Sequence, residues 1–390
     1  MSNFYDQFIG SLDDLSVEEL QKLHSLVSAK LPKEKTPTEN KDLGNDTLNC
    51  CPKCGSTSYK KHGTKDGRQR YICKDCKKTF SESNATIFYH SRLSTGQWKE
   101  LLRGMIDRLS TTEIAKNVGI SQPAVWYNMQ KVFEVLSKVY GKQDNFIDIA
   151  EADETFTHTS FKGKRDAEYF IKFLRRMPRH QRSREEKIIY LMKHGLYDEL
   201  AQYEPEYLEQ LLSDDVLTYD RGISNRDQTN IVVCTDRNKN LFVSPVSVGK
   251  LTSDDATKAL GGRFAKDAIL VTDENNAYNE LAESEGIQLE QILSTKHVKG
   301  PFNLARINSI CDNLKDFLGP DRYRPSTKYL DLWLLFYIWL EKHKELNTYE
   351  KRDLLFDLIS DNHHNMSMNY NRHTERELTL NTKGMYPTKV

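Results

Sequence analysis

Four of the chain's seven cysteines fall into two matched knuckles, Cys51-Pro52-Lys53-Cys54 and Cys73-Lys74-Asp75-Cys76, with residues 55–72 between them. Each CxxC turn holds two sulfurs about one ion diameter apart while its backbone N–H groups help to neutralise them. Two such turns joined by a hairpin therefore make a tetrahedral cage for zinc. The expected ligands are Cys51, Cys54, Cys73 and Cys76; four protein ligands leave no open position, so the Zn2+ is structural and its product is a rigid ribbon. Cys50 adjoins the first knuckle but would break its symmetry. Seven cysteines are too few for a disulfide framework in a chain of this size, which agrees with reducing surroundings.

With 390 residues, 38% of them apolar, the chain suits two or three domains with real cores. Its most apolar stretch, 329–340, is too short to span a bilayer, so no membrane partner is expected. The first residues, MSNFYDQFIG, lack the basic and apolar regions of a secretory signal, which makes the cytoplasm the expected compartment. A formal net charge of +0 argues against adhesion to nucleic acid through bulk charge. The distribution is uneven, however: residues 1–50 carry 5 Lys against 9 Asp and Glu, and residues 51–142 carry 17 Lys and Arg against 7 Asp and Glu. A polyanion would bind the second of these segments. Within it, the hairpin YKKHGTKDGRQRYIC offers Lys60, Lys61, Arg68 and Arg70 to a phosphate backbone; a solvated basic hairpin is the plainer alternative.

Along the chain, apolar spacing predicts a helical segment over 1–31, with a capping-box start at Ser16 and Glu19, suited to packing or self-association. Residues 32–49 are polar with two prolines and read as a linker. The ribbon occupies 50–92 and a helical domain 93–142. From 145 to 345 short β-rich runs (FIDIAEADETF, TNIVVCTD, NLFVSPVSVG, AILVTDE, IQLEQILS) precede or alternate with helical stretches, the pattern of a meander followed by strand–helix units in a mixed α/β sheet. A charged helical insert at about 175–219 interrupts it, as a lid or as plain solvated helices. Residues 346–390 form a C-terminal tail.

In the helical domain, LSTTEIAKNVGISQPAVWYNMQKVF predicts a helix-turn-helix: Ile114 and Ala115 on a short helix, a turn at Val118-Gly119-Ile120, and Ser121 capping a second helix that buries Val125 and Met129 or Val132. Exposed residues near its start, Gln122, Ala124, Tyr127 and Asn128, would face base edges, against a reading of plain helical packing. In FIDIAEADETF strand alternation puts Glu151 and Asp153 on one face, and in AILVTDENNAY an apolar strand ends at Asp273 before a helix. Such acids can converge on hard divalent cations. Asp236 and Glu154 are expected to serve turns and solvent.

CPKC…RQRYICKDCKKTF, EADETF, FKGKR, RGISN, LVTDENNAY and INSICDNLK with STKYL, in that order over residues 51 to about 340, resemble the insertion-sequence transposases of the DDE superfamily, in the branch with an N-terminal zinc ribbon. The resemblance implies a ribonuclease-H-like catalytic domain with Asp153 and Asp273 as metal ligands and a third position at Asn308, 35 residues after Asp273. It implies also Lys315 near the DNA, two helical turns beyond Asn308. The implied cofactors are two Mg2+ or Mn2+ ions that activate water and then a 3′-OH for strand cleavage and transfer. The implied partner is double-stranded DNA, as element ends and target, with a homodimer or larger assembly when two ends are held together and a nucleoid location. Asp312 and Asp316 are alternative ligands. Asn in place of an acid also fits a DNA-binding regulator derived from a transposase with an inactive catalytic domain. A general ribonuclease-H-like nuclease would need no helix-turn-helix.

Overall fold

The computed structural model of the chain describes residues 50–65, 68–81, 86–88, 91–141, 144–160, 166–173, 175–178, 183–213, 228–293, 298–319 and 325–360. The segment at 1–31, the linker at 32–49, the FKGKR and RGISN motifs and the tail beyond 360 lie outside them. The chain divides into two compact units, one reaching to Glu100 and the other running from Leu101 to Ile359.

In the first unit β1 (Tyr59–Lys65), β2 (Arg68–Cys73) and β3 (Thr79–Ser81) form an antiparallel sheet in that order. Tyr59 pairs with Cys73 and Tyr71 with Phe80. Because side chains alternate across a strand, the three rings gather on one face, with centroids 5.5–5.8 Å apart, and pack with buried Cys51 and Cys73. This small aromatic core gives the knuckles a floor that so short a sheet could not otherwise supply.

Helix α1 (Thr95–Ile106) leads in sequence to the second unit, where α2 (Thr111–Val118) and α3 (Gln122–Tyr140) precede the main sheet. That sheet contains β4 (Ile149–His158), β5 (Gln228–Asp236), β6 (Leu241–Val248), β7 (Ile269–Asp273) and β8 (Gln288–Ile292) in the order β6-β5-β4-β7-β8. The first three strands are an antiparallel meander, and β7 and β8 run parallel to β4, giving the mixed sheet that the sequence pattern predicts. Asp236 serves the β5–β6 turn as expected, its carboxylate accepting from the backbone N–H groups of Asn238 and Asn240 at 2.9 and 3.0 Å.

On one sheet face Ala150, Ala152, Val232, Cys234 and Leu270 pack with Ala256 and Leu260 of α7 (Ser253–Leu260) and Leu281 of α8 (Asn279–Glu285). Three helices follow the short hairpin of β9 (Val298–Lys299) and β10 (Phe302–Asn303): α9 (Ala305–Phe317), α10 (Leu330–Lys342) and α11 (Thr348–Ser360). Helix α9 packs on β4, while α10 lies between β6 and α3. Eight consecutive residues of α10, Leu332 to Trp339, run buried, as does Leu330 before them, because both sides of the helix are covered. Phe133 of α3 meets Trp333 at 4.9 Å between centroids. The helices expected as a separate domain at 93–142 thus share, from Leu101 onward, one compact unit with the sheet. No helix among the described residues is long and apolar enough to cross a membrane.

The insert falls between β4 and β5. Its helices α4 (Arg184–Lys193), α5 (Tyr197–Tyr203) and α6 (Pro205–Leu212) close on a core of their own that includes Ile171, Leu191, Leu200, Leu208 and Leu211. They are more than solvated helices, since they bury one another.

Candidate active site

Strand β4 carries acids on both faces. Its parallel register with β7 pairs Ile149 with Ile269, Ala150 with Leu270 and Glu151 with Val271. Carried two residues further, that offset sets Asp153 level with Asp273 on the same face, with adjacent strands about 4.8 Å apart. The electrostatics agree: burial first, and then the neighbouring Asp273, push the Asp153 carboxyl from 3.8 up to about 6, against the pull of the Glu154 N–H and of Lys315. Asp153 Oδ1 accepts from the Glu154 N–H at 2.8 Å, and Asp273 Oδ1 from the Asn275 N–H at 3.2 Å.

Helix α9 covers this face. Glu151, 2% exposed, accepts from the Ile307 N–H at 3.2 Å and lies 3.7 Å from Arg237, so a buried carboxylate satisfies part of the first turn of α9, where N–H groups have no helical partner. Burial raises the Glu151 carboxyl's affinity for protons, and the Ile307 N–H with Arg237 and Arg306 opposes it. Asn308, the next residue, is exposed. Four and seven places on, Asp312 and Lys315 follow on the same side of the helix, and both act electrostatically on Asp153. Lys315 also pairs with Asp312 at 3.2 Å. Asp316 is engaged elsewhere, 2.5 Å from Arg108.

Glu154 departs from expectation. It is half-buried, not solvated, and accepts from Asn275 Nδ2 at 2.7 Å. Burial, opposed by the Tyr278 hydroxyl and reinforced by Asp153 and Asp273, lifts its carboxyl to about 7. The sequence assigns Glu154 to turns or solvent and gives Asn275 no role. The spacing of Asp273 and Asn275 is an available signal, since Asp side chains commonly accept from the backbone two residues on.

In the ribbon, Cys51 Sγ lies 3.8 Å from Cys76 Sγ, and Cys54 Sγ lies 3.6 Å from Cys73 Sγ. With Zn–S about 2.3 Å, the edge of an S4 tetrahedron is about 3.8 Å, so the donor set and spacing fit zinc. All four ligand atoms lie within 4.8 Å of one another, and among the described residues this is the one group of three or more His, Cys, Asp or Glu side chains that meets that spacing. The residue after each knuckle is left-handed, Gly55 at φ 75° and Lys77 at φ 59°, so the two turns repeat one geometry. The Cys76 N–H, aimed at Cys73, is foremost in drawing that thiol down to about 6, which favours the thiolate. Lys60 and Lys61 are exposed, Arg70 donates to Thr79 Oγ1 at 2.9 Å, and Arg68 opens β2.

The helix pair α2–α3 has the expected turn. Ser110 and Glu113 cap α2 reciprocally, and Gly119 ends it at φ 74°. Ser121 occupies the N-cap of α3, though its side chain makes no capping bond, and Val125, Met129 and Val132 are all buried. Gln122 is exposed and donates to Thr111 Oγ1 at 2.8 Å; Ala124 and Tyr127 are half-buried. Asn128 corrects the expectation of exposure: it is 6% exposed, and its Nδ2 donates to the Ala124 carbonyl at 2.9 Å, because α3 is covered along much of its length.

No protein-family model matches the chain. Over 116 residues it is 28% identical to an uncharacterized protein in transposable element ISH50 of Halobacterium salinarum, a match that spans 29% of this chain and 38% of the relative. Two solved structures align with 67% of the chain: a pre-cleavage Mos1 transpososome (10% identity, 78% of that chain, TM-score 0.24) and a Mos1 transposase paired-end complex with left transposon end (11% identity, 79%, TM-score 0.21). At those scores the backbones do not superimpose as wholes. The shared stretch agrees with the resemblance that the motifs carry: this chain is a relative of a protein encoded in a transposable element.

Proposed function

We propose that the chain is a DNA transposase of the DDE superfamily, in which the ribbon and the helix pair hold DNA and a ribonuclease-H-like domain cuts and joins it. The observation that carries this reading is the parallel register of β4 and β7, ending at Glu151 opposite Val271, whose continuation would set Asp153 level with Asp273 in a sheet of order β6-β5-β4-β7-β8. Oxygen donors alone, packed until one carboxyl's proton affinity rises, suit a hard divalent cation. The transposable-element relative supports the biological setting.

Asp153, Asp273 and Asn308 would hold Mg2+ or Mn2+, which when bound supplies activation of an attacking hydroxyl and neutralisation of the leaving oxygen. Asn308 is taken from the motif resemblance; Asp312, whose charge acts on Asp153, is the alternative third ligand. The protein's own part is orientation. Glu154 and Asn275 N–H groups set one oxygen of each aspartate, Glu151 fastens the turn before Asn308, and Lys315 offers a cation to a scissile-strand phosphate. Lys60, Lys61, Arg68 and Arg70 would bind backbone phosphates, and Gln122, Ala124 and Tyr127 would approach bases.

Purified chain with Mn2+ and DNA bearing its element's ends is expected to nick and join strands, and Asp153→Ala to abolish both products. Equal product from the two proteins would refute the assignment. The exposed amide at Asn308, where an acid would bind metal more firmly, favours one second reading, a DNA-binding regulator. It would bind the same ends and yield no metal-dependent product.

A further inference from the structure

We propose that Glu154 and Asn275 are a positioning pair that fixes the two aspartates relative to each other. This inference rests on the metal-dependent reading of Asp153 and Asp273. Beyond Asp273 the chain leaves β7, and a loop there would ordinarily let the carboxylate wander. Asn275 pins it with bonds in four directions. Its N–H donates to Asp273 Oδ1 at 3.2 Å, its Oδ1 accepts from the Ala277 N–H at 3.0 Å, its carbonyl accepts from Gln291 Nε2 at 3.1 Å, and its Nδ2 donates to Glu154 Oε1 at 2.7 Å. Glu154 in turn donates its own N–H to Asp153 Oδ1 at 2.8 Å. A single side-chain bond between Glu154 and Asn275 thus joins two backbone N–H groups, each of which orients one aspartate.

The placement of Glu154 agrees with this role. Strand alternation turns it to the face where Ala150, Ala152, Leu270 and Leu281 form an apolar core, away from Asp153. A carboxylate on such a face costs stability unless it is satisfied, and Asn275, with the Tyr278 hydroxyl beside it, does so. Glu154 is accordingly a positioning residue that acts through Asn275 and through its own backbone, and it does not itself touch a substrate.

The test is Mn2+ binding by calorimetry on the full chain with its cysteine site loaded with Zn2+, together with cleavage as a function of Mn2+ concentration. Outer-shell partners of metal ligands are typically worth about 10–100-fold in affinity. Asn275→Ala and Glu154→Leu are expected to lose that much, with turnover at saturating Mn2+ retained to within about 3-fold, as positioning rather than direct participation requires. Glu154→Gln keeps an oxygen acceptor for Asn275 Nδ2 and is expected to stay within about 3-fold of wild type. The double variant is expected to be no weaker than the worse single one, since both remove one bond. Wild-type affinity in Asn275→Ala overturns the inference, as does a Glu154→Gln as weak as Glu154→Leu, which would assign the effect to charge. If Glu154→Leu does not fold, Asn275→Ala and Glu154→Gln decide the matter. A wild type that binds no more Mn2+ than Asp153→Asn overturns the inference and the metal-dependent function together, whereas unchanged binding in Asn275→Ala alone leaves that function standing.

Discussion

Replacing Asp153 with Asn makes a prediction whose size follows from the geometry. Without metal, the Asp153 carboxylate is a buried anion level with a second one, and its proton affinity rises from an ordinary 3.8 to about 6. At 1.36 kcal/mol per pH unit the ionised form opposes folding by about 3 kcal/mol. The sign follows from linkage: the folded state holds the proton more tightly, so the favourable contribution is present below about pH 4 and is lost as pH rises through 6. Asparagine keeps an oxygen for the Glu154 N–H and removes the charge. In EDTA at pH 8, Asp153→Asn should therefore melt about 6–12 °C above wild type, at about 2–4 °C per kcal/mol for a unit of this size, and the difference should close by about pH 4. Mn2+ at about 100 times its dissociation constant should add about 2.7 kcal/mol to wild type and nothing to the variant, so that the gap nearly vanishes. The measurement is thermal unfolding followed by circular dichroism, in EDTA and in Mn2+, at several pH values. A variant no more stable than wild type in EDTA at pH 8, with the same response to Mn2+, would refute the juxtaposition of Asp153 and Asp273.

Chelation of zinc, or Cys73→Ser, should unfold the ribbon and drop bound zinc from one per chain to none, checked by metal analysis and by loss of amide-exchange protection over 51–81. Lys60→Ala with Lys61→Ala should weaken duplex binding regardless of sequence and flatten the slope of log affinity against log salt by about 2, read by fluorescence anisotropy between about 50 and 200 mM salt. Asn128→Ala, in contrast, should leave base preference unchanged in the same anisotropy experiment, since its amide is turned to the Ala124 carbonyl. Gly104→Ala should destabilise by about 1–3 kcal/mol in denaturant titration, because a Cβ there would lie 2.7 Å from Cγ1 of fully buried Ile114.

What the sequence makes legible is local in origin. The knuckles are self-contained turns, so four cysteines announce their own geometry. The α2–α3 turn is written in Ser110, Glu113 and Gly119, within one short stretch. The meander follows from apolar runs bounded by turn residues such as Asp236. The burial of Asn128 is not legible locally, because it is decided by what covers α3, and α10 lies about two hundred residues further on. The Asp153–Asp273 pairing is likewise non-local, yet it is not arbitrary. Ala150, Ala152 and Leu270 must enter one core, which sets the faces of both strands. A slip of one residue would turn Val271 and Asp273 toward that core and expose Leu270 on the opposite face. The apolar residues that stabilise the sheet therefore select the register, and the register aligns the acids. Glu154, expected in turns or solvent, stands on the core face by the same alternation, which says nothing of an asparagine that arrives there from the end of another strand.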